Sequence, residues 1–261
     1  KINLFAKQSA LLADYPEIAL MSDGAILHWR TAPIAIQTEA NGQWENVVKV
    51  LPRQTNTAPD RPLVPDHNLS RAAAVRWARF ILRPQVNAVT FDVETTGVDF
   101  SMDEVISVGV VDCAGEVVFD ALIQPLNMAN MTATNAVEVN GITAEMVQDE
   151  PQFVDYYSMI RRQLDGRFWL GYNTSFDVNM LNAACLRAGC PPLLPAAVHD
   201  AMPYVAMFLG EWEADAGRYH NFKLVEAAER LGVVLDDAHN AAADALATWG
   251  IVKRMSEGGE A

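Results

Sequence analysis

Cysteine is scarce and unpatterned in this chain of 261 residues: Cys113, Cys185 and Cys190 form neither a CxxC pair nor an even set. That argues against a disulfide framework and a zinc site, and fits reduced thiols in the core of an intracellular protein. Long apolar runs are absent as well. None approaches the roughly 18 to 20 residues of a membrane span, and no basic start leads into an apolar core as in a secretory leader. A cytoplasmic chain with no membrane partner is the expectation, although the chain opens on Lys1 rather than Met, so the missing leader carries little weight. There is no internal repeat, and no low-complexity tract beyond the polar tail SEGGEA.

Basic residues are the next shortage. The net charge is −14, unevenly spread: residues 1–86 hold ten Lys/Arg and seven Asp/Glu (+3), residues 87–261 nine and 26 (−17). An acidic body repels nucleic acid at long range unless metal ions or the basic N-terminal part offset it. Half of the residues are hydrophobic, so a sizeable packed core is available and global disorder is excluded.

Three stretches divide the chain. Residues 1–66 read as a small, mostly β module ending in a linker. AILHWR, IAIQTE and WENVVKVL alternate like short strands, and Asn41-Gly42 between two of them is a hairpin signal. Four prolines in LPRQTNTAPDRPLVPDHN then mark the linker. Residues 67–85 contain a basic amphipathic helix, capped by Ser70 and stopped by Pro84. Arg76, Arg79 and Arg83 recur on it at helical spacing beside Trp77, Phe80 and Ile81. They read either as surface arginines over an apolar stripe or as a basic flank for a phosphate backbone. Residues 86–261 have the pattern of a mixed α/β domain. Five strands are expected, at AVTFDVE, EVISVGVVDC, EVVFDALIQP, RFWLGYN and up to His199-Asp200, with helices between and after them.

The chemistry lies in carboxylates that such a domain should not tolerate. In AVTFDVETTG, residues 88–97, alternation along a strand puts Val89, Phe91 and Val93 on one face and Thr90, Asp92 and Glu94 on the other. No Lys or Arg lies in the stretch to neutralise the two acids. Asp177 opens a helix directly after a strand, where a carboxylate also serves as an ordinary cap. Asp244 is the only charge between Ala241 and Val252, on a helix apolar nearly all round. An unpaired buried carboxylate costs several kcal/mol, so it is protonated, paired or bound to a cation. Four such acids without bases suit hard divalent cations, magnesium or manganese. Two ions roughly 4 Å apart are the known arrangement for displacement at phosphorus. His239, five residues before Asp244, is placed to take a proton from an attacking water.

In this order the residues resemble the DEDDh (DnaQ-like) 3′→5′ exonucleases, the family of polymerase proofreading subunits, ribonuclease T and oligoribonuclease. FDVETTG is similar to the first motif, Asn173, Phe176 and Asp177 of YNTSFD to the second, and His239-x4-Asp244 to the third. VEVNGIT resembles the segment between, with Asn140 where many members have His. The resemblance spans about residues 86–254. It implies a ribonuclease H-like fold, Asp92, Glu94, Asp177 and Asp244 as ligands of two Mg²⁺ or Mn²⁺ ions, and His239 as general base. It implies that the backbone around Thr95, Thr96 and Gly97 cradles the terminal nucleotide, and that Val98 stands where many relatives carry a Leu wedge.

The expected substrate is nucleic acid with a free 3′ end, DNA favoured over RNA, cleaved to nucleoside monophosphates. The alternatives are an RNA-trimming or oligoribonuclease-like activity and a non-catalytic nucleic-acid adaptor. Arg76, Arg79 and Arg83 are carried as candidate substrate contacts, and the N-terminal module as a contact for a protein partner.

Overall fold

The computed structural model describes residues 67–235 and 240–258, together with four strand segments nearer the N-terminus. The chain divides into two units, Lys1–Arg61 and Pro62–Ala261. In the first, β1 (Ala19–Leu20) pairs antiparallel with β2 (Ile26–Leu27), and β3 (Ile36–Ala40) with β4 (Gln43–Val47). Ala40 faces Gln43 across the second pair, and the Asn41-Gly42 turn expected between them lies outside the described residues. The proline-rich linker lies outside the described residues.

The second unit is built on a mixed five-stranded sheet flanked by helices, the ribonuclease H-like arrangement. Its strands are β5 (Ala88–Thr95), β6 (Val105–Val111), β7 (Val117–Leu122), β8 (Phe168–Gly171) and β9 (Ala197–Asp200), in the order β7-β6-β5-β8-β9. Pairings β5–β6 and β6–β7 are antiparallel, while β5–β8 and β8–β9 are parallel. Strand β5 is therefore central, and its apolar alternation is used as expected: Val89, Phe91 and Val93 are buried. They join a core with Ile160 and Leu164 of a helix at Phe153–Leu164 and Met180 and Leu181 of one at Ser175–Arg187.

The opposite face of β5 and β6 is covered by the last helix, Ala241–Ser256. Its alanines allow a close approach, and Gly109 of β6 completes it. A Cβ on Gly109 would lie 2.2 Å from the backbone nitrogen of Ala242.

In chain order the helices are α1 (His67–Ile81), α2 (Asn130–Ala133), α3 (Ala136–Asn140), α4 (Ala144–Val147), α5 (Phe153–Leu164), α6 (Ser175–Arg187), α7 (Met202–Leu209), α8 (Leu224–Arg230) and α9 (Ala241–Ser256). Helix α1 begins at His67, so Ser70 sits in its first turn and is not its cap. The short helices α2 and α4, and a small hairpin pairing Trp212–Glu213 with Arg218–Tyr219, were not anticipated from periodicity. Among the described residues, no helix is long and apolar enough to cross a membrane.

Candidate active site

The parallel strands set the position of the site. Strand β5 pairs with β8 only over Ala88–Thr90. Beyond that point the chain leaving β8 turns away into α6, and a crevice opens at the carboxyl ends of the strands, where open α/β sheets bind ligands. The turn is made by Asn173, whose φ of 61° is one that asparagine tolerates better than most residues. The Asp200 carboxylate accepts from the Asn173 and Met202 N–H groups at 2.9 and 3.0 Å and holds that turn.

Asp92 and Glu94 project from β5 towards α9. Asp92 lies opposite Gly109, the point where α9 touches the sheet. Asn240 caps α9, its side-chain oxygen accepting from the Ala243 N–H at 3.1 Å, and so fixes Asp244 in the first turn. One ligand oxygen from each of Asp92, Glu94 and Asp244 lies within 4.8 Å of the others. Asp244 is buried, whereas Asp92 and Glu94 keep some solvent contact, more than the apolar strand led us to expect.

Asp177 is buried beside this trio but turned partly away. Its Oδ1 accepts from the Val93 N–H at 3.1 Å, serving a donor that β8 leaves unpaired. His239 lies outside the described residues.

The electrostatics are those of crowded acids. None of the ion pairs among the described residues involves Asp92, Glu94 or Asp177. Burial holds Asp92 well above the usual carboxylate range, and Asp177, Glu94 and Asp244 add to the rise. Burial pushes Glu94 up to about 8, with Asp244 adding to it and a hydrogen bond from Asn140 opposing it. Burial likewise raises Asp177 to about 7, against the Val93 hydrogen bond. Such a cluster binds protons or a cation. Oxygen-only donors at this spacing fit a hard divalent ion.

The loop after β5 is braced from beneath. Thr95 and Thr96 are buried, and their hydroxyls donate inward, to the Gly97 carbonyl at 2.6 Å and to Asp103 at 3.0 Å. Their side chains are therefore structural, and only backbone is left to meet a ligand. A Cβ on Gly97 would lie 2.4 Å from the Asp103 carboxylate, which explains the glycine. Val98 is 79% exposed. Phe176 packs on Phe100, ring centroids 5.9 Å apart, a partner that sequence reading missed. Asp103 and Asp200 were missed too, because neither sits in a motif and each acts through backbone N–H groups or a hydroxyl remote in sequence.

The arginine helix is anchored elsewhere. Arg79 donates to the Ser256 carbonyl at 2.7 Å, and Arg71 to those of Phe208 and Gly258, both at 2.9 Å. Ser256 ends α9, twelve residues or about 18 Å of helix from Asp244. Trp77 stacks on Tyr204 at 3.9 Å and donates to His199 at 3.4 Å. The structure thus does not bring Arg79 to the carboxylates. Arg76 is exposed and Arg83 half-buried on the same helix.

A ribonuclease H-like sheet carrying an acid trio at its crevice defines a nuclease of the metal-dependent carboxylate class. Residues 89–252 match the RNase_T family, described as Exonuclease, and the chain belongs to that DnaQ-like family. It is 26% identical over 178 residues to the uncharacterized exonuclease CP81 of Escherichia phage 186, covering 66% of this chain and 90% of that one. It is 30% identical over 169 residues to the DNA polymerase III subunit epsilon of Treponema pallidum, covering 64% and 74%. The fold also matches E. coli Exonuclease I in complex with a dT13 oligonucleotide, with a TM-score of 0.54 at 19% identity, over 64% of this chain and 40% of that chain. The protein is an exonuclease of the DnaQ type, a class that uses divalent metals.

Proposed function

We propose that the protein removes nucleoside monophosphates from the 3′ ends of nucleic acid, with DNA favoured. The convergence of Asp92, Glu94 and Asp244 on one small volume carries this reading. Asp92, Glu94 and Asp244, with Asp177 beside them, would hold two Mg²⁺ or Mn²⁺ ions. Bound ions of this kind acidify water and offset charge at phosphorus. His239, five residues ahead of Asp244 in sequence, would take the proton from the attacking water. The loop at Thr95–Gly97, stiffened by Asp103, would receive the terminal nucleotide through its backbone, with Val98, Asn173 and Phe176 at the rim.

DNA is favoured because one relative is a DNA polymerase subunit and a protein of similar fold is an exonuclease in complex with a dT13 oligonucleotide. Residues 86–261 are the exonuclease domain in this scheme, with α1 bound to it as a strut. The N-terminal module, residues 1–66, is left for contact with a protein partner. Arg79 is kept from the reacting centre in this scheme, since it is engaged at the far end of α9.

Matched 3′-labelled and 5′-labelled DNA and RNA oligonucleotides, incubated with Mg²⁺, Mn²⁺ or EDTA, test the proposal. Release of 3′-terminal mononucleotides in metal alone supports it, and the DNA to RNA ratio settles the substrate.

A further inference from the structure

Asn140 ends α3 and reaches the backbone of the catalytic strand. Its Nδ2 donates to the Thr95 carbonyl at 3.1 Å. The same side chain holds down the pKa of the neighbouring Glu94 carboxylate. Its Oδ1 accepts from the Ile142 N–H at 3.1 Å, which leaves the amide one orientation: oxygen towards Ile142, NH₂ towards Thr95. The chain turns at once behind it, through Gly141 at a φ of 68°. Ile142 is buried in a small cluster with Ile106, Met131 and Val147, so the mount is rigid. Thr134, from the same segment, donates to the Thr96 carbonyl.

We infer that Asn140 is a positioning residue for the metal site. Through the Thr95 carbonyl it fixes the backbone that follows Glu94, and with it the direction of that carboxylate towards Asp92 and Asp244, and it ties the ligand strand to the loop that receives the nucleotide.

Strand β5 makes such a clamp necessary. Its register with β6 slips between Glu94 and Thr95, so the ladder ceases to fix the backbone where the second ligand projects. Asn140 bonds the Thr95 carbonyl at that slip. Groups that orient metal ligands in this way typically contribute 10- to 100-fold in metal affinity or activity.

The inference rests on the proposed metal site, and the test separates the two. Mn²⁺ binding to the full chain is measured by calorimetry without substrate, alongside the melting temperature, for the parent, Asn140→Ala, Asn140→Leu and Asn140→His. Leu fills the space without a donor, and His retains a ring N–H. The expected result is about 10-fold weaker Mn²⁺ binding or more in the Ala and Leu variants. Their kcat should fall with little change in KM for an oligonucleotide, and the His variant should stay within about threefold of the parent. Parent-like Mn²⁺ affinity in either donor-less variant that melts normally overturns the role of Asn140. Failure of the parent itself to bind Mn²⁺ overturns the metal site instead.

Discussion

Gly109 lies directly beneath Ala242: a side-chain carbon on the glycine would fall 2.2 Å from the alanine's backbone nitrogen. Asp92 sits opposite Gly109 on the neighbouring strand, and Asp244 follows Ala242 by two residues. The same contact therefore sets the depth of α9 on the sheet and the distance between two of the acids. Gly109→Ala should cost about 1–3 kcal/mol, the range for overpacking a filled site, because backbone cannot swing aside as a side chain can. Activity should fall further than stability predicts, since α9 must lift and carry Asp244 with it. Denaturant unfolding together with Mn²⁺ titration checks both parts.

The raised acids make stability depend on pH in a stated direction. Glu94 titrates near 8 and Asp177 near 7 in the folded protein, against ordinary values near 4 when unfolded. Between these limits the folded state binds more protons than the unfolded state, so unfolding free energy falls as pH rises. Below about pH 4 both states are protonated and the contribution is complete; it is lost as pH climbs through 7 and 8. In EDTA the melting temperature should therefore decline from pH 5 to pH 8. Saturating Mn²⁺ should flatten or reverse the decline. A metal-free melting temperature that rises over this interval would show that these acids are ionised and already paired.

Removing one acid should stabilise the metal-free protein while abolishing its chemistry. Asp92→Asn removes a carboxyl whose ionised form repels Asp177, Glu94 and Asp244. Its melting temperature in EDTA at pH 8 should exceed the parent's, and added Mn²⁺ should no longer raise it. Differential scanning of the two proteins with and without metal is sufficient.

His239 should separate from the acids in kind. His239→Ala should lower turnover by roughly 10²- to 10⁴-fold, the range for losing a general base, with Mn²⁺ affinity unchanged. Equal losses of metal binding in His239→Ala and Asp92→Ala would reassign the histidine to the ligand set.

On the proposed reading the arginine helix is a strut, and its variants should behave accordingly. Trp77→Ala should cost about 3–5 kcal/mol, as for other buried aromatics, because Trp77 stacks on Tyr204 and bonds His199. Arg79→Ala should lower the melting temperature slightly and leave the salt dependence of oligonucleotide affinity unchanged. A slope shallower by about 0.7, the value for one lost phosphate contact on a single strand, would instead return Arg79 to the substrate path.

Much of this architecture was legible because single residues broke local rules. Asp92, Glu94 and Asp244 were visible as acids in apolar surroundings, and the structure gathers all three. The five strands were visible because β5 to β9 alternate or run apolar between turn signals. What stayed hidden depended on contacts distant in sequence. Gly109 is an ordinary strand glycine until α9 is laid across it. The two readings of the α1 arginines stayed open because helical spacing says which residues share a face, not what that face meets. Arg79 meets a carbonyl 177 residues away. Asp177 differed in the same way: its place at a helix start was read correctly, but its bond to the Val93 N–H follows from where β8 stops pairing with β5.

The central claim is that the acids converging at the end of β5 drive metal-dependent removal of nucleotides from a 3′ end. Its most direct test is digestion of a 5′-labelled single-stranded DNA by the parent and by Asp244→Ala, each in Mn²⁺ and in EDTA. The account predicts a ladder shortening one nucleotide at a time from the 3′ end, for the parent in Mn²⁺ alone, with no product in the other three reactions. An undiminished ladder in EDTA or from Asp244→Ala, or release of the 5′ label as a mononucleotide at the earliest times, would contradict it.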